Sequence, residues 1–146
     1  MLEQIKISRV KEFEQECFVA VRELMIQLVN QEQLPSKEQF VKLLNSANSQ
    51  LFIAQLANSQ IVGTMTIATY EIPSGKRLWI EDVVVDVDYR GKGIGRELIT
   101  FAIEHCRSIG AQDIRLTSRP TRVNANKLYI KAGFKKSDTN AYVYHF

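Results

Sequence analysis

The feature that most constrains this chain is a glycine-rich turn between a strand-like run and a helix-like run. Leu78 to Val85 is rich in β-branched residues and, after Asp82, apolar on both alternations. That pattern fits a central strand covered on both faces. Glu97 to Ile109 is amphipathic at helical spacing. Between them lies Asp86-Val87-Asp88-Tyr89-Arg90-Gly91-Lys92-Gly93-Ile94-Gly95, where three glycines and two cations crowd together. Glycine lets backbone N–H groups approach a ligand closely, and a helix start favours negative charge. The turn therefore reads as an anion cradle, suited to a diphosphate. A strand feeding a helix in this way also commits the chain to layered α/β packing.

The 146 residues suit a single domain, 1–146, with a full core. A net charge of +3 is too mild to point to nucleic acid. No apolar run approaches the ~20 residues of a membrane span, and the first six residues lack a signal-peptide core. A cytoplasmic protein without nucleic-acid or membrane partners is expected. Cys17 and Cys106 fall in separate predicted helices, with no CxxC and no nearby histidine pair. Reduced thiols are expected, and no metal.

Gln4–Val10 alternates as a strand, and Glu12–Val29 then switches to helical spacing through Phe13, Cys17, Val21, Leu24, Met25 and Leu28. Ser36 with Gln39 fits a capping box that opens a second helix. Leu51–Leu56 and Ile61–Ile72 form a predicted hairpin around Asn58-Ser59, and Pro73-Ser74-Gly75-Lys76 turns the chain into Leu78–Val85. After the glycine turn and its helix come a predicted strand at Asp113–Thr117, a helix at Asn124–Ala132, and strands at Phe134–Lys136 and Tyr142–Phe146. The expected order is β-α-α-β-β-β-α-β-α-β-β, a mixed sheet with an antiparallel front half and a β-α-β crossover. The aromatic run Ala141–Phe146, at a sheet edge, wants cover, so a homodimer is expected.

Three ligand readings compete for the turn. A Walker A loop needs Ser or Thr after its lysine, but Gly93 follows Lys92. A dinucleotide fingerprint needs G-x-G-x-x-G, but Gly95 arrives one residue early. A purely structural turn leaves Arg90, Lys92 and Arg96 unexplained beside bare N–H groups. The third ligand reading is a resemblance. Arg90-x-x-Gly93-x-Gly95 resembles the R/Q-x-x-G-x-G/A signature of the GNAT superfamily of N-acetyltransferases, and Ala125–Phe134 resembles its second motif, A-x-x-L-Y-x-x-x-G-F. The element order is similar too, from the first strand to the last.

The resemblance implies splayed central parallel strands and acetyl-CoA as co-substrate. It implies that backbone groups of Gly91, Lys92, Gly93, Ile94, Gly95 and Arg96, with Arg90, hold the pyrophosphate. Backbone groups of Val83, Val84 and Val85 would pair with the pantetheine like a missing strand. It also makes Tyr129 the acid for the leaving thiolate; a core tyrosine is the alternative. Arg122, Asn126 and Tyr129 share one helical stripe, and Asn126 is the expected amide contact to the pantetheine. Arg122 stands where the family often has Asn, which leaves its role open.

Glu81 and Asp82 are candidate bases, direct or through water, because carboxylates on an otherwise apolar strand are costly to bury without purpose. Adjacent strand residues face opposite ways, so at most one lines the cleft unless a bulge intervenes. Glu81 is preferred; ion pairing with Arg77, Arg115 or Arg119 is the alternative. Arg119 or Arg122 suits an acidic group on the acceptor, a carboxylate or a phosphate, with solvated loop charge as the alternative. His105 and Cys106 read as packing residues, and His145 as a minor candidate for substrate contact. The expected activity is N-acetyl transfer from acetyl-CoA to a small-molecule primary amine, directly in a ternary complex. A protein N-acetyltransferase and a non-catalytic acyl-CoA-binding module are the competing readings.

Overall fold

The computed structural model describes residues 4–146. In chain order the elements are β1 (Lys6–Arg9), α1 (Gln15–Ile26), α2 (Lys37–Leu44), β2 (Ser49–Gln55), β3 (Ile61–Ile72), β4 (Gly75–Val85), α3 (Ile94–Ser108) and α4 (Val123–Lys131). Single 3₁₀ turns stand at Gln31–Gln33 and Val87–Tyr89. The Ser36–Gln39 capping box forms as the sequence predicts: the Gln39 amide donates to Ser36 Oγ at 3.1 Å, and the Ser36 amide to Gln39 Oε1 at 2.9 Å.

The four strands make one antiparallel sheet in the order β1-β2-β3-β4. Apolar residues fill both faces, as the run at Leu78–Val85 requires. On one face Cys17, Val21 and Leu24 of α1 and Phe40 and Leu44 of α2 pack with Leu51, Ile53 and Val84. On the other, Ile94, Leu98, Ile99 and Ala102 of α3 and Tyr129 of α4 pack with Phe52, Leu78, Ile80 and Val83. Alternate residues of β2 thus feed opposite cores.

Two expectations need correction. The mixed sheet with splayed parallel strands is reduced, because Asp113–Thr117 contributes a single parallel bridge, Trp79 to Arg115. Two backbone bonds make it, Ile80 N to Arg115 O at 2.8 Å and Arg115 N to Leu78 O at 2.9 Å. Too short a ladder forms to count as a strand. Phe134–Lys136 and Tyr142–Phe146 form no strands either. The described order is therefore β-α-α-β-β-β-α-α. The tail is an aromatic, β-branched run that finds nothing to bury against: Tyr142 and Tyr144 are 88% and 81% exposed. Without burial, strand propensity alone does not hold a strand. Among the described residues no helix is long and apolar enough to cross a membrane.

Candidate active site

The site begins with an irregularity in β4. Pairing with β3 passes from Thr64 opposite Val84 to Thr66 opposite Glu81, so Met65 alone faces Asp82 and Val83. This is a β-bulge. Asp82 takes the left-handed conformation, φ 51°, which Asp and Asn tolerate better than other side chains. The extra residue reverses the alternation. Leu78, Ile80 and Val83 share the α3 face, while Val84 turns to α1. Glu81 and Asp82 then both line one cleft of about 330 Å³, with Thr117, Ser118, Arg119, Arg122 and Tyr129 on its other walls. Strict alternation would have allowed only one of the two acids there.

Burial pushes the Glu81 carboxyl above its ordinary range, and the neighbouring charge of Asp82 pushes the same way. Burial raises Asp82 as well. Neither acid is taken by an arginine. Arg115 pairs with Asp113 at 3.4 Å, and Arg77 donates to Ser74 Oγ at 3.1 Å. The only other ion pair among the described residues is Arg107 with Glu104.

Tyr129 stands opposite, only 5% exposed. Burial raises its phenol, while the charge and hydrogen bond of Arg122 pull it back down. Arg122 precedes the first turn of α4 and donates from Nη2 to the Val83 carbonyl at 3.2 Å. Arg122 and Tyr129 therefore do share one stripe. Asn126 serves the same stripe from below: its Nδ2 donates to the carbonyls of Arg119 and Arg122, both at 2.9 Å. Its amide nitrogen is spent on the loop, which leaves Oδ1 for other partners.

The glycine turn lies next to this cleft. Gly91 and Gly93 are left-handed, φ 76° and 87°, and Gly93 caps α3. The first helical backbone bond runs from Glu97 N to Gly93 O at 3.0 Å, so the amides of Ile94, Gly95 and Arg96 have no partner within the helix. Gly95 has a different reason to be glycine. A Cβ there would meet Leu128 Cδ2 at 3.1 Å, so this position lets α3 pack closely on α4. Lys92 Nζ stands 4.8 Å over the Tyr89 ring. Arg90 Nε donates to the Val85 carbonyl at 3.1 Å, and its Nη2 to Gln27 Oε1 at 3.2 Å. Gln27 Oε1 also accepts from the Val87 amide at 3.1 Å. This residue, just past α1, ties the turn to the opposite layer. No spacing in the sequence marks it.

Beyond the Trp79–Arg115 bridge, the outer edge of β4 meets side chains instead of a strand. The carbonyls of Val83 and Val85 accept from Arg122 and Arg90. An open strand edge beside amides at a helix start fits a ligand that combines an amide-bearing arm with a phosphate. The remaining candidates lie elsewhere. His105 bonds Gln50 at 2.8 Å and stacks on Phe101, with its ring pushed toward neutrality by burial. Cys17 and Cys106 are buried free thiols. His145 lies in the exposed tail. Among the described residues no three His, Cys, Asp or Glu side chains gather as a metal site would need.

Residues 8–134 match the model of the acetyltransferase (GNAT) family. N-acetyltransferase 8B of Rattus norvegicus is 30% identical over 96 residues, which is 64% of this chain and 43% of that protein. Glucosamine 6-phosphate N-acetyltransferase of Arabidopsis thaliana is 45% identical over 42 residues, 29% of this chain and 28% of that protein. The chain thus spans less than half the length of these curated relatives. Among solved structures, an aminoglycoside acetyltransferase from an uncultured soil metagenomic sample, in complex with trehalose, superposes with a TM-score of 0.84. It is 25% identical, with 97% of this chain and 95% of that one covered.

Proposed function

The chain belongs to the acetyltransferase (GNAT) family, and on that premise we propose that it moves an acetyl group from acetyl-CoA to the primary amine of a small molecule, directly in a ternary complex. The observation that carries this reading is the single cleft in which Glu81 and Asp82 face a buried Tyr129 beside an open strand edge. A cleft of about 330 Å³ suits a small acceptor, since ligand pockets run from about 300 to 1,000 Å³.

Acetyl-CoA brings an activated thioester carbonyl. The amides of Ile94, Gly95 and Arg96, the left-handed turn at Gly91 and Gly93, and the cations Arg90 and Lys92 suit its pyrophosphate. The backbone of Val83, Val84 and Val85 suits its pantetheine amides, with Asn126 Oδ1 as a further acceptor. On binding, Arg90 and Arg122 yield the Val85 and Val83 carbonyls that they now occupy.

Glu81 takes a proton from the acceptor ammonium, directly or through water. Burial and the charge of Asp82 raise its pKa, which makes it a better base than an ordinary carboxylate. The freed nitrogen bonds to the acetyl carbon, and the carbon–sulfur bond breaks. Tyr129 gives its proton to the departing sulfur, its raised pKa keeping it protonated until then. The second proton, shed by the nitrogen as it becomes an amide, passes to the Tyr129 phenolate through water and restores the phenol. The products are an N-acetylated amine and free CoA thiol. Incubation with acetyl-CoA and a panel of small amines should release thiol and yield acetylated amine by mass. Binding of acetyl-CoA without turnover across the panel would refute the catalytic reading and favour an acyl-CoA-binding module.

A further inference from the structure

The cleft holds two opposite poles that do not neutralise each other. Glu81 and Asp82 form one on β4, and Arg119 and Arg122 form the other on the loop into α4. No carboxylate–guanidinium approach within 4.0 Å joins them, since the only ion pairs among the described residues are Arg107–Glu104 and Arg115–Asp113, both outside the cleft. Glu81, Asp82 and Arg119 are exposed and screened by water. An acceptor that displaces this water leaves them without counter-charges unless it supplies them, which is costly. We propose that the acceptor supplies both counter-charges: it is a zwitterion, an amine that also bears a phosphate or carboxylate a few bonds away. This deepens the acetyltransferase reading and rests on it.

The two poles differ in what they still offer. Arg122 is partly committed, with Nη2 on the Val83 carbonyl and its charge beside the Tyr129 phenol. The Arg119 guanidinium makes no hydrogen bond or ion pair among the described residues, although its backbone carbonyl is pinned by Asn126 at 2.9 Å. The cleft therefore presents a free fork on a fixed stem. Next to it, the Ser118 hydroxyl oxygen is enclosed and has no hydrogen-bond partner among the described residues. A planar guanidinium and a hydroxyl make a donor set for an oxyanion. At the acid pole, an ammonium group gains an ion pair with Glu81 or Asp82 before Glu81 removes its proton. A neutral amine of the same skeleton leaves the arginine pole unpaired, and a polycation is repelled by it.

Matched pairs test this: O-phosphoethanolamine against ethanolamine, and β-alanine against β-alaninamide. In each pair the anionic member should show kcat/KM at least about ten-fold higher. Arg119→Ala should bring that ratio toward one, while Arg119→Lys should keep part of it. A phosphate pair that responds more strongly than the carboxylate pair assigns the site to phosphates, and the reverse assigns it to carboxylates. Turnover of both members at equal efficiency in both pairs overturns the two-pole site and leaves the acetyltransferase intact. A second readout separates the two ideas. Calorimetric binding of O-phosphoethanolamine or β-alanine to the CoA-loaded protein, lost in Arg119→Ala, supports the site even where no amine is acetylated. Absence of such binding together with absence of preference overturns it.

Discussion

Tyr129→Phe separates chemistry from packing at this site. The ring is 5% exposed and edges against Phe134 at 6.1 Å between centroids, and phenylalanine keeps both contacts. The hydroxyl alone is lost. Arg122, whose charge lies beside the hydroxyl, keeps the Val83 carbonyl at 3.2 Å, so the folded state loses at most one hydrogen bond, about 1 kcal/mol. For a domain of this size that corresponds to a fall in Tm of roughly 2–4 °C. The catalytic loss should be larger. General acids contribute about 10²–10⁴ in rate, and a thiolate needs less help than an alkoxide, so the lower end applies. A fall in kcat of about 10² is ~2.7 kcal/mol in the barrier. The KM for acetyl-CoA should stay within about two-fold, because its anion contacts are assigned to the glycine turn.

The pH profile adds a second axis. Tyr129 acts protonated, so its contribution is present below its pKa and lost as pH rises through it. Burial sets that pKa above the usual 10.0, against the opposing pull of Arg122. Wild-type kcat should therefore hold on the alkaline side until above pH 10, then fall, and Tyr129→Phe should lack this limb. Stopped assays of kcat across pH, beside thermal melts, make the measurement. A variant that melts a few degrees lower yet keeps kcat within about three-fold would refute the acid role, as would an alkaline limb that survives the substitution.

Two further outcomes follow from the geometry. Asp82→Asn removes the charge that adds to burial in raising Glu81, and asparagine accepts the left-handed φ of 51°. The acidic limb of kcat, where Glu81 protonates as pH falls, should move to lower pH without reaching the ordinary carboxylate range, because burial remains; an unmoved limb in the pH profile would take the base role away from Glu81. Gly93→Ala forces a side chain onto φ 87° at the cap of α3, a strain of about 1–2 kcal/mol, and should weaken acetyl-CoA at least about ten-fold by calorimetry. Gly95→Ala instead meets Leu128 at 3.1 Å and should lower Tm first, so a Gly95 variant that loses affinity with Tm unchanged would reverse this assignment.

The parts of this fold that follow from local chemistry were legible in the sequence. Helical spacing placed α1, the Ser36–Gln39 box opened α2, and the run at Leu78–Val85 marked a strand with two covered faces. The glycine turn and the motif around Tyr129 could be read because each carries its constraint within a short stretch, and both border the candidate cleft or its neighbouring strand edge. Long-range features were not legible. Gln27 reaches the Val87 amide and Arg90 across 60 and 63 positions, and nothing in its neighbourhood distinguishes it from any other helix-end glutamine. The failed strands at Phe134–Lys136 and Tyr142–Phe146 hold strand-favouring aromatic residues, but composition states only what a segment would bury, not whether a partner surface exists. One glycine carries a constraint that its spacing did not announce: a side chain at Gly95 would crowd Leu128, so this position also serves the packing of α3 on α4.

The bulge at Asp82 shows why the site's central feature could be anticipated only as a condition. Continued alternation from Leu78 and Ile80 would drive Asp82 into the layer packed beneath Leu98 and Ile99, where an unpaired carboxylate is expensive. One left-handed residue, a strain of roughly 1–3 kcal/mol, avoids that burial and restores Val83 to the apolar face. The same shift leaves the Val83 carbonyl where Arg122 reaches it and sets Glu81 and Asp82 on one wall. The sharing of one wall by two acids thus depends on a single inserted residue. A deletion that removes Asp82 should then restore strict alternation, keep Val83 against α3 and Val84 toward α1, and leave Glu81 as the one acid on that wall; thermal melts should show the fold retained, and a collapse of Tm would refute this reading of the bulge.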